Sequence, residues 1–321
     1  MIEVEGLTKT FPTRKGREKI ELTAVDGVDL HVDAGEIVGF LGPNGAGKTT
    51  TLRMLTTLIR PTSGRAVVAG HDVAEDPVAV RRAIGYVSQS GSTGPEARAG
   101  EEVVDHGMLY GVSRKAATAR AKELFDDLEL DGLWERKPRT MSGGQRRRLD
   151  IAMGLVHDPK LVFLDEPTTG LDPQARANLW EHIADLRTNR GATIFLTTHY
   201  LDEADALCDR ILVIDHGRIV ASDTPDALKR QVSGDLVELQ VADPAQVAAA
   251  VAALAAAHPD AAPEVHELRV SARVRDVGDR LPGLVRALDA AGVVLAGIEV
   301  RRPTLDDVFL TVTGRSLRED A

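Results

Sequence analysis

Cysteine occurs once in the 321 residues, at Cys208, so no disulfide can close within the chain and nothing marks an oxidising compartment. Aromatic residues are only 3% of the sequence, which reads as compositional background beside plentiful alanine and arginine. No apolar run reaches the roughly eighteen residues that a membrane-crossing helix needs, so any membrane role is expected to come through a partner. The N-terminus lacks the basic, apolar, small-residue order of a secretory signal; Met1 to Thr10 reads directly as strand and turn. Positive charge is in deficit, with 39 Lys and Arg against 49 Asp and Glu, a formal net charge of −10. That bulk charge disfavours a protein whose main task is gripping a phosphate backbone, so no nucleic acid is expected as partner. What remains is an ordinary globular composition, 43% hydrophobic and 27% charged. Its length suggests about two domains, and the default location is cytoplasmic.

Against this background one stretch organises the chain: Gly42-Pro43-Asn44-Gly45-Ala46-Gly47-Lys48-Thr49-Thr50. An apolar run, Ile37 to Leu41, precedes it, and a helix is expected over Thr49 to Leu58. This is the strand–loop–helix context of a phosphate-binding P-loop. Small residues let successive backbone N–H groups turn inward around an anion, and the helix adds its uncapped N–H groups and positive dipole end. Lys48 is placed to reach the β- and γ-phosphates and the Thr49 hydroxyl to ligate Mg²⁺. A chance glycine-rich turn is the plain alternative, and the flanking strand and helix speak against it.

Before the P-loop, residues 2–7 alternate apolar and acidic as a half-buried strand. A charged insert, Arg14 to Glu21, separates it from a second strand-like region, Leu22 to Val32. A small antiparallel sheet beside a nucleotide-binding core is the expectation. Arg60 to Gly64 is a stop and turn, Ala66 to Gly70 a strand, and Ile84 to Gln89 a short strand ending in glutamine. Ser90 to Gly100 reads as a loop, and Glu101 to Leu130 as helical with a break near Gly111 to Ser113. Leu161 to Leu164, Thr193 to Leu196 and Ile211 to Ile214 are short apolar runs typical of fully buried parallel strands. Strands alternating with helices give an α/β core with a largely parallel sheet. The nucleotide-binding domain is placed at 1–230, with a helical subdomain at about 90–157 and a C-terminal accessory domain at 231–321. In that last part three strands and three helices are legible, and a small α/β domain of ferredoxin-like type is the candidate. Thr304 and Asp307 are spaced as a capping box for its final helix.

Chemistry concentrates where Leu161 to Leu164 closes on Asp165 and Glu166. Asp165 at a strand end can hold Mg²⁺ through water, and Glu166 can polarise an attacking water. A carboxylate general base is typically worth about 10²–10⁴ in rate. An isolated Asp-Glu is as often mere solvation of a strand end; the P-loop upstream and Pro167-Thr168-Thr169-Gly170-Leu171-Asp172 downstream argue otherwise. From about Ile2 to Lys229 this ordered set resembles the ATP-binding subunit of an ABC transporter. Ser142-Gly143-Gly144-Gln145 resembles the family's signature motif, with Met141 where leucine is usual. By itself it reads as a helix cap. In the family it forms a second anion site, and two subunits pair head to tail with each ATP between one P-loop and the other subunit's signature motif. The resemblance further implies that Gln89 contacts Mg²⁺ and the attacking water, that His199 contacts the γ-phosphate, and that Asp172 bridges the subunits. It also implies that Phe11 stacks on adenine.

A finer resemblance rests on Gly85 to Gln89, Arg146-Arg147-Arg148-Leu149 and the tail Pro303 to Leu310, which are similar to the daunorubicin/doxorubicin-resistance type of exporter ATPase. After Gln89 the usual Leu-Thr before a Glu is missing; Ala97-Arg98 precedes Glu101 instead. The resemblance implies ATP and Mg²⁺ as cofactors, a separate ABC-2 type membrane permease as partner, and a homodimer with sandwiched ATP at the cytoplasmic face of the membrane. Efflux of a drug-like or other small hydrophobic compound is the expected work. A soluble ABC ATPase of ribosome or DNA, or a transporter of ion, lipid or polysaccharide, stays as the alternative. Against the soluble relatives, no heptad-patterned insertion and no second cassette is visible.

Overall fold

The computed structural model describes residues 1–15, 18–232, 234–274 and 277–314. Two compact units divide it, Met1–Pro225 and Asp226–Ser316. The first runs β1 (Ile2–Lys15), β2 (Glu18–Val32), β3 (Ile37–Leu41), α1 (Lys48–Leu55), β4 (Ser63–Val68) and β5 (His71–Asp72). Next come α2 (Pro77–Ala83), β6 (Ile84–Val87), α3 (Ala99–Leu109), α4 (Arg114–Asp127) and α5 (Gly143–Leu155). Then follow β7 (Leu161–Asp165), α6 (Pro173–Arg190), β8 (Thr193–Thr198), α7 (Leu201–Leu207), β9 (Arg210–Asp215) and β10 (Arg218–Asp223).

The central sheet has the order β10-β9-β3-β8-β7-β6, parallel throughout except for β10 against β9. Every residue of β3, β7 and β8 is buried. A strand covered on both faces has no polar face to present, which is why these segments read as unbroken apolar runs. Three of the six phenylalanines meet here: Phe40 and Phe163 each tilt against Phe195, with ring centroids 5.5 and 5.6 Å apart.

A second sheet, of order β2-β1-β4-β5, is the expected antiparallel one. Its hairpin is longer than the sequence suggests, pairing as far as Lys15 with Glu18. The charged insert from Arg14 to Glu21 is therefore strand where described; Gly16 and Arg17 lie outside the described residues. Near this end Phe11, Ile20 and Leu22 are all exposed, so no burial pattern marks the strand, and pairing alone extends it. The helices α3, α4 and α5 pack on one another as the helical subdomain. They break where expected, with Gly111 at φ 85 and Ser113 capping α4 through Ala116 N–H. The helix α1 stops at Leu55 rather than Leu58, where Thr57 turns left-handed at φ 62.

The second unit opens within α8 (Pro225–Gln231), after its first residue, and continues with β11 (Asp235–Val241), α9 (Val247–Ala257), β12 (Glu264–His266), β13 (Arg269–Val274), α10 (Val277–Ala290), β14 (Leu295–Arg301) and α11 (Leu305–Thr313). Its sheet, of order β12-β13-β11-β14, is antiparallel throughout. From β11 to β14 the succession β–α–β–β–α–β is that of the ferredoxin-like fold. Four strands stand where the sequence shows three. The missing one, β12, is three exposed residues long, too short and too wet to show alternation. Alternate residues Val237, Leu239 and Val241 of β11 pack with Ala250 and Leu254 of α9 and with Leu284 and Leu288 of α10 in one apolar core. Thr304 and Asp307 cap α11 reciprocally.

Candidate nucleotide site

The strand β3 delivers the chain into the loop Gly42 to Gly47. Gly47 is the N-cap of α1, with φ 111, and a Cβ there would fall 2.5 Å from Ala24 O. Only glycine fits. Having no side chain, it leaves the first-turn N–H groups of α1 without a side-chain cap, the arrangement that attracts anions. Ala46 N–H donates to Pro43 O and Gly217 N–H to Ala46 O, at 3.2 and 2.9 Å, so the loop is braced from β9–β10. Lys48 is buried, and its Nζ donates to Gly42 O at 2.5 Å and Pro43 O at 3.0 Å. Burial lowers its pKa, while the charges of Glu166 and Asp165 within reach oppose that shift. Asn44, Gly45 and Thr49 are exposed and Thr50 is half-buried.

The ends of β6, β7 and β8 meet beside this lysine. Burial raises the pKa of Asp165, although its Oδ1 accepts from Thr197 Oγ1 at 2.7 Å. Glu166 leaves β7 in a left-handed conformation, φ 45, which costs a non-glycine residue roughly 1–2 kcal/mol. Such strain persists where surroundings over-determine it, and they do: Glu166 N–H donates to both Thr197 O and Thr197 Oγ1, each at 3.1 Å. Three side chains gather on its carboxylate. Gln89 Nε2 donates to Oε2 at 2.8 Å, Thr169 Oγ1 donates to Oε2 at 3.1 Å, and His199 Nδ1 lies 3.4 Å from Oε1. The hydrogen-bonding partner His199 is the main cause of a lowered Glu166 pKa; burial opposes it, and Thr169 and Lys48 reinforce it. An ionised, oriented carboxylate next to a buried lysine can take a proton from water.

Ser142, Gly143, Gly144 and Gln145 stand at the start of α5. Ser142 Oγ accepts from Gln145 N–H at 3.2 Å and Gln145 Oε1 accepts from Ser142 N–H at 3.1 Å, a capping box. Asp172 caps α6 by accepting from Ala175 N–H at 2.9 Å. These two helix starts are neighbours, since a Cβ on Gly144 would lie 3.2 Å from that of Ala175. Ser142 and Asp172 are exposed. Phe11 is 36% exposed on the β1–β2 hairpin, with Lys9 Nζ 5.2 Å from its ring centroid. The chain thus draws Lys48, Gln89, Asp165, Glu166 and His199 together, and holds Phe11, Asp172 and Ser142 to Gln145 elsewhere on the surface of the same unit.

Sequence reading missed three residues that build the site. Thr197 holds Asp165 and the Glu166 backbone, and Thr169 holds the Glu166 carboxylate. Arg147 is buried and donates to Ser88 O, Asp165 O and Pro167 O at 2.6, 3.0 and 2.7 Å. The available signal was positional, polar residues at or just past the ends of adjacent parallel strands; for Arg147 it was hidden in a basic run. Among the described residues no three His, Cys, Asp or Glu side chains cluster as metal ligands. The donors expected for Mg²⁺, the carboxylate of Asp165, the hydroxyl of Thr49 and the amide of Gln89, offer oxygen, and Mg²⁺ usually takes one or two carboxylates with water and phosphate oxygens.

A family model described as ABC transporter matches residues 25–169. A daunorubicin resistance ATP-binding protein from Streptomyces coeruleorubidus is 42% identical over 317 residues, 99% of this chain and 97% of that one. The chain belongs to the ABC transporter ATP-binding family. Nod factor export ATP-binding protein I from Burkholderia lata is 39% identical, covering 92% of this chain and 93% of its own. A dimeric ATP-binding cassette, solved in a post-hydrolysis state with ADP and Pi, matches with a TM-score of 0.62 at 27% identity, over 70% of this chain and 98% of that one. This ABC protein is an ATP-hydrolysing subunit of an exporter.

Proposed function

We propose that this ABC subunit hydrolyses ATP with Glu166 as general base and that the hydrolysis drives efflux of a drug-like or other small hydrophobic compound through a separate ABC-2 type permease. The observation that carries the reading is the convergence of Gln89, Thr169 and His199 on the Glu166 carboxylate, within electrostatic reach of Lys48. Lys48 and the first turn of α1 receive the phosphates, Gln89 and Glu166 orient and deprotonate water, and His199 keeps Glu166 ionised and faces the γ-phosphate. Thr49, Gln89 and Asp165 would hold Mg²⁺, which would neutralise charge on the phosphates. Phe11 supports the adenine. Two copies close head to tail, Ser142 to Gln145 of each meeting the nucleotide of the other and Asp172 lying at the seam. The exposed caps at Ser142 and Asp172 and the dimeric solved cassette support that pairing. The complex sits at the cytoplasmic face of the membrane; no helix among the described residues is long and apolar enough to cross it. A drug-like cargo is carried over from the resistance proteins, 42% identical over nearly the whole chain, while the Nod factor export protein, 39% identical, supports export of another cargo as the second reading.

The test is to purify the full chain from gently solubilised membranes of its native cell and identify what accompanies it. A stoichiometric polypeptide with several spans of about 20 apolar residues is expected. Recovery only in the soluble fraction, with ribosomes or nucleic acid attached, would leave the ATPase site intact and overturn the export reading.

A further inference from the structure

The helix that begins at Ser142 also carries the anchors of the loops bearing Gln89 and Glu166. Arg147 lies in its second turn, and the planar guanidinium, with five N–H donors in a fixed fork, spans three carbonyls. One is at the end of β6 (Ser88 O), one at the end of β7 (Asp165 O), and one just past Glu166 (Pro167 O). Asp150, three residues on and hence on the same helix face, is 3% exposed. Its Oδ1 accepts from Ser92 N–H at 2.9 Å and Thr93 N–H at 3.2 Å. The loop packs directly against this carboxylate: a Cβ on Gly91, whose φ is 73, would fall 2.7 Å from Asp150 Oδ2. Farther along, Gly94 N–H donates to Glu102 of α3. Residues 88–94 belong to no strand or helix, and Ser88 O with the N–H groups of Ser92, Thr93 and Gly94 bond instead to side chains of the helical subdomain. Asp150 and Asp165 also supply charge opposite to the buried guanidinium.

We propose that Arg147 and Asp150 are positioning residues, which clamp the loops on either side of the site to the signature helix and so hold Gln89 in bonding register with Glu166. The inference rests on the reading of Gln89 and Glu166 as the groups that act on water. A bond of 2.8 Å between two loop residues survives only if both loops are fixed to a common body, and α5 is that body. Displacement of reacting groups by about 1 Å can cost on the order of 10²-fold in rate. Neither residue needs to touch nucleotide for its loss to slow turnover.

The experiment measures steady-state ATP hydrolysis by the full chain for Asp150→Ala, Asp150→Asn, Gly91→Ala and Gln89→Ala, each checked for folding by thermal melt. Asp150→Ala should lower kcat about tenfold or more with KM for ATP within about twofold. Asp150→Asn keeps an acceptor oxygen for Ser92 and Thr93 and should restore kcat to within about threefold of the parent. If Asp150→Ala does not fold, Gly91→Ala disturbs the same contact from the loop side and should show the same loss in kcat at unchanged KM. Parental kcat in whichever of these two folds, a loss confined to KM, or equal losses in Asp150→Ala and Asp150→Asn overturn the proposal. Gln89→Ala separates the layers. Its hydrolysis at the parental rate refutes the catalytic reading of Gln89 and the clamp with it. A slow Gln89→Ala beside a parental Asp150→Ala refutes only the clamp.

Discussion

Gln89 Nε2 donates to Glu166 Oε2 at 2.8 Å, joining the loop after β6 to the first residue past β7. Because β6 and β7 are parallel neighbours, both side chains emerge at the same edge of the sheet, where P-loop and Lys48 also lie. Parallel strands with crossover helices put their C-terminal ends on one side, and ligands bind there. The site therefore follows from topology as much as from any single motif.

Lys48→Ala should weaken ATP binding. Hydrogen bonds to charged groups are worth roughly 1.5–3 kcal/mol, so titration calorimetry should find affinity about ten- to a hundredfold lower. Equal affinity in a folded variant would remove the P-loop assignment.

Gly47→Ala should fail in a different way. The new methyl meets Ala24 O at 2.5 Å on a backbone held at φ 111, and the two penalties together amount to roughly 2–5 kcal/mol. A thermal melt should show the loss even without nucleotide. A variant with the parental midpoint would mean that the loop is not fixed as described.

The acidity of the site should depend on His199. Glu166 has its pKa lowered from the ordinary value of 4.5, chiefly by its hydrogen bond with His199. A carboxyl with a depressed folded pKa stabilises the fold above its unfolded value, and that contribution is lost as pH falls through the folded one. His199→Ala should therefore move the acid limb of single-turnover hydrolysis upward, toward pH 4.5, and should shrink this contribution to stability, so that the variant unfolds at a higher pH on acidification. Profiles with the limb unmoved would show that another group holds Glu166 ionised.

Much of this was legible in the residues. Short apolar runs announced β3, β7 and β8, the last two closed by polar residues, because strands buried on both faces cannot alternate. Asp165, Glu166 and His199 stand beside such runs and are placed at strand ends by the sequence alone, and Lys48 falls at the start of the helix that follows β3. What stayed hidden obeys weaker patterns. The strand β12 is three exposed residues, carried by its pairing with β13. The tip of the β1–β2 hairpin is strand by pairing rather than by composition. Arg147 and Asp150 look like surface charges in a basic helix, and only the packing of α5 under the Gln89 loop turns them inward. Thr197 resembles any polar residue after a strand until the parallel register sets it opposite Asp165.

The most direct measurement compares ATP hydrolysis and ATP-driven dimerisation of the full chain with those of Glu166→Gln. Glutamine keeps the shape of the side chain but cannot take a proton, so turnover should fall by about 10²–10⁴. ATP binding should persist, and the variant should accumulate as a closed dimer with nucleotide trapped. Hydrolysis by Glu166→Gln at the parental rate would contradict the assignment of Glu166 as the base on which the rest of the site converges.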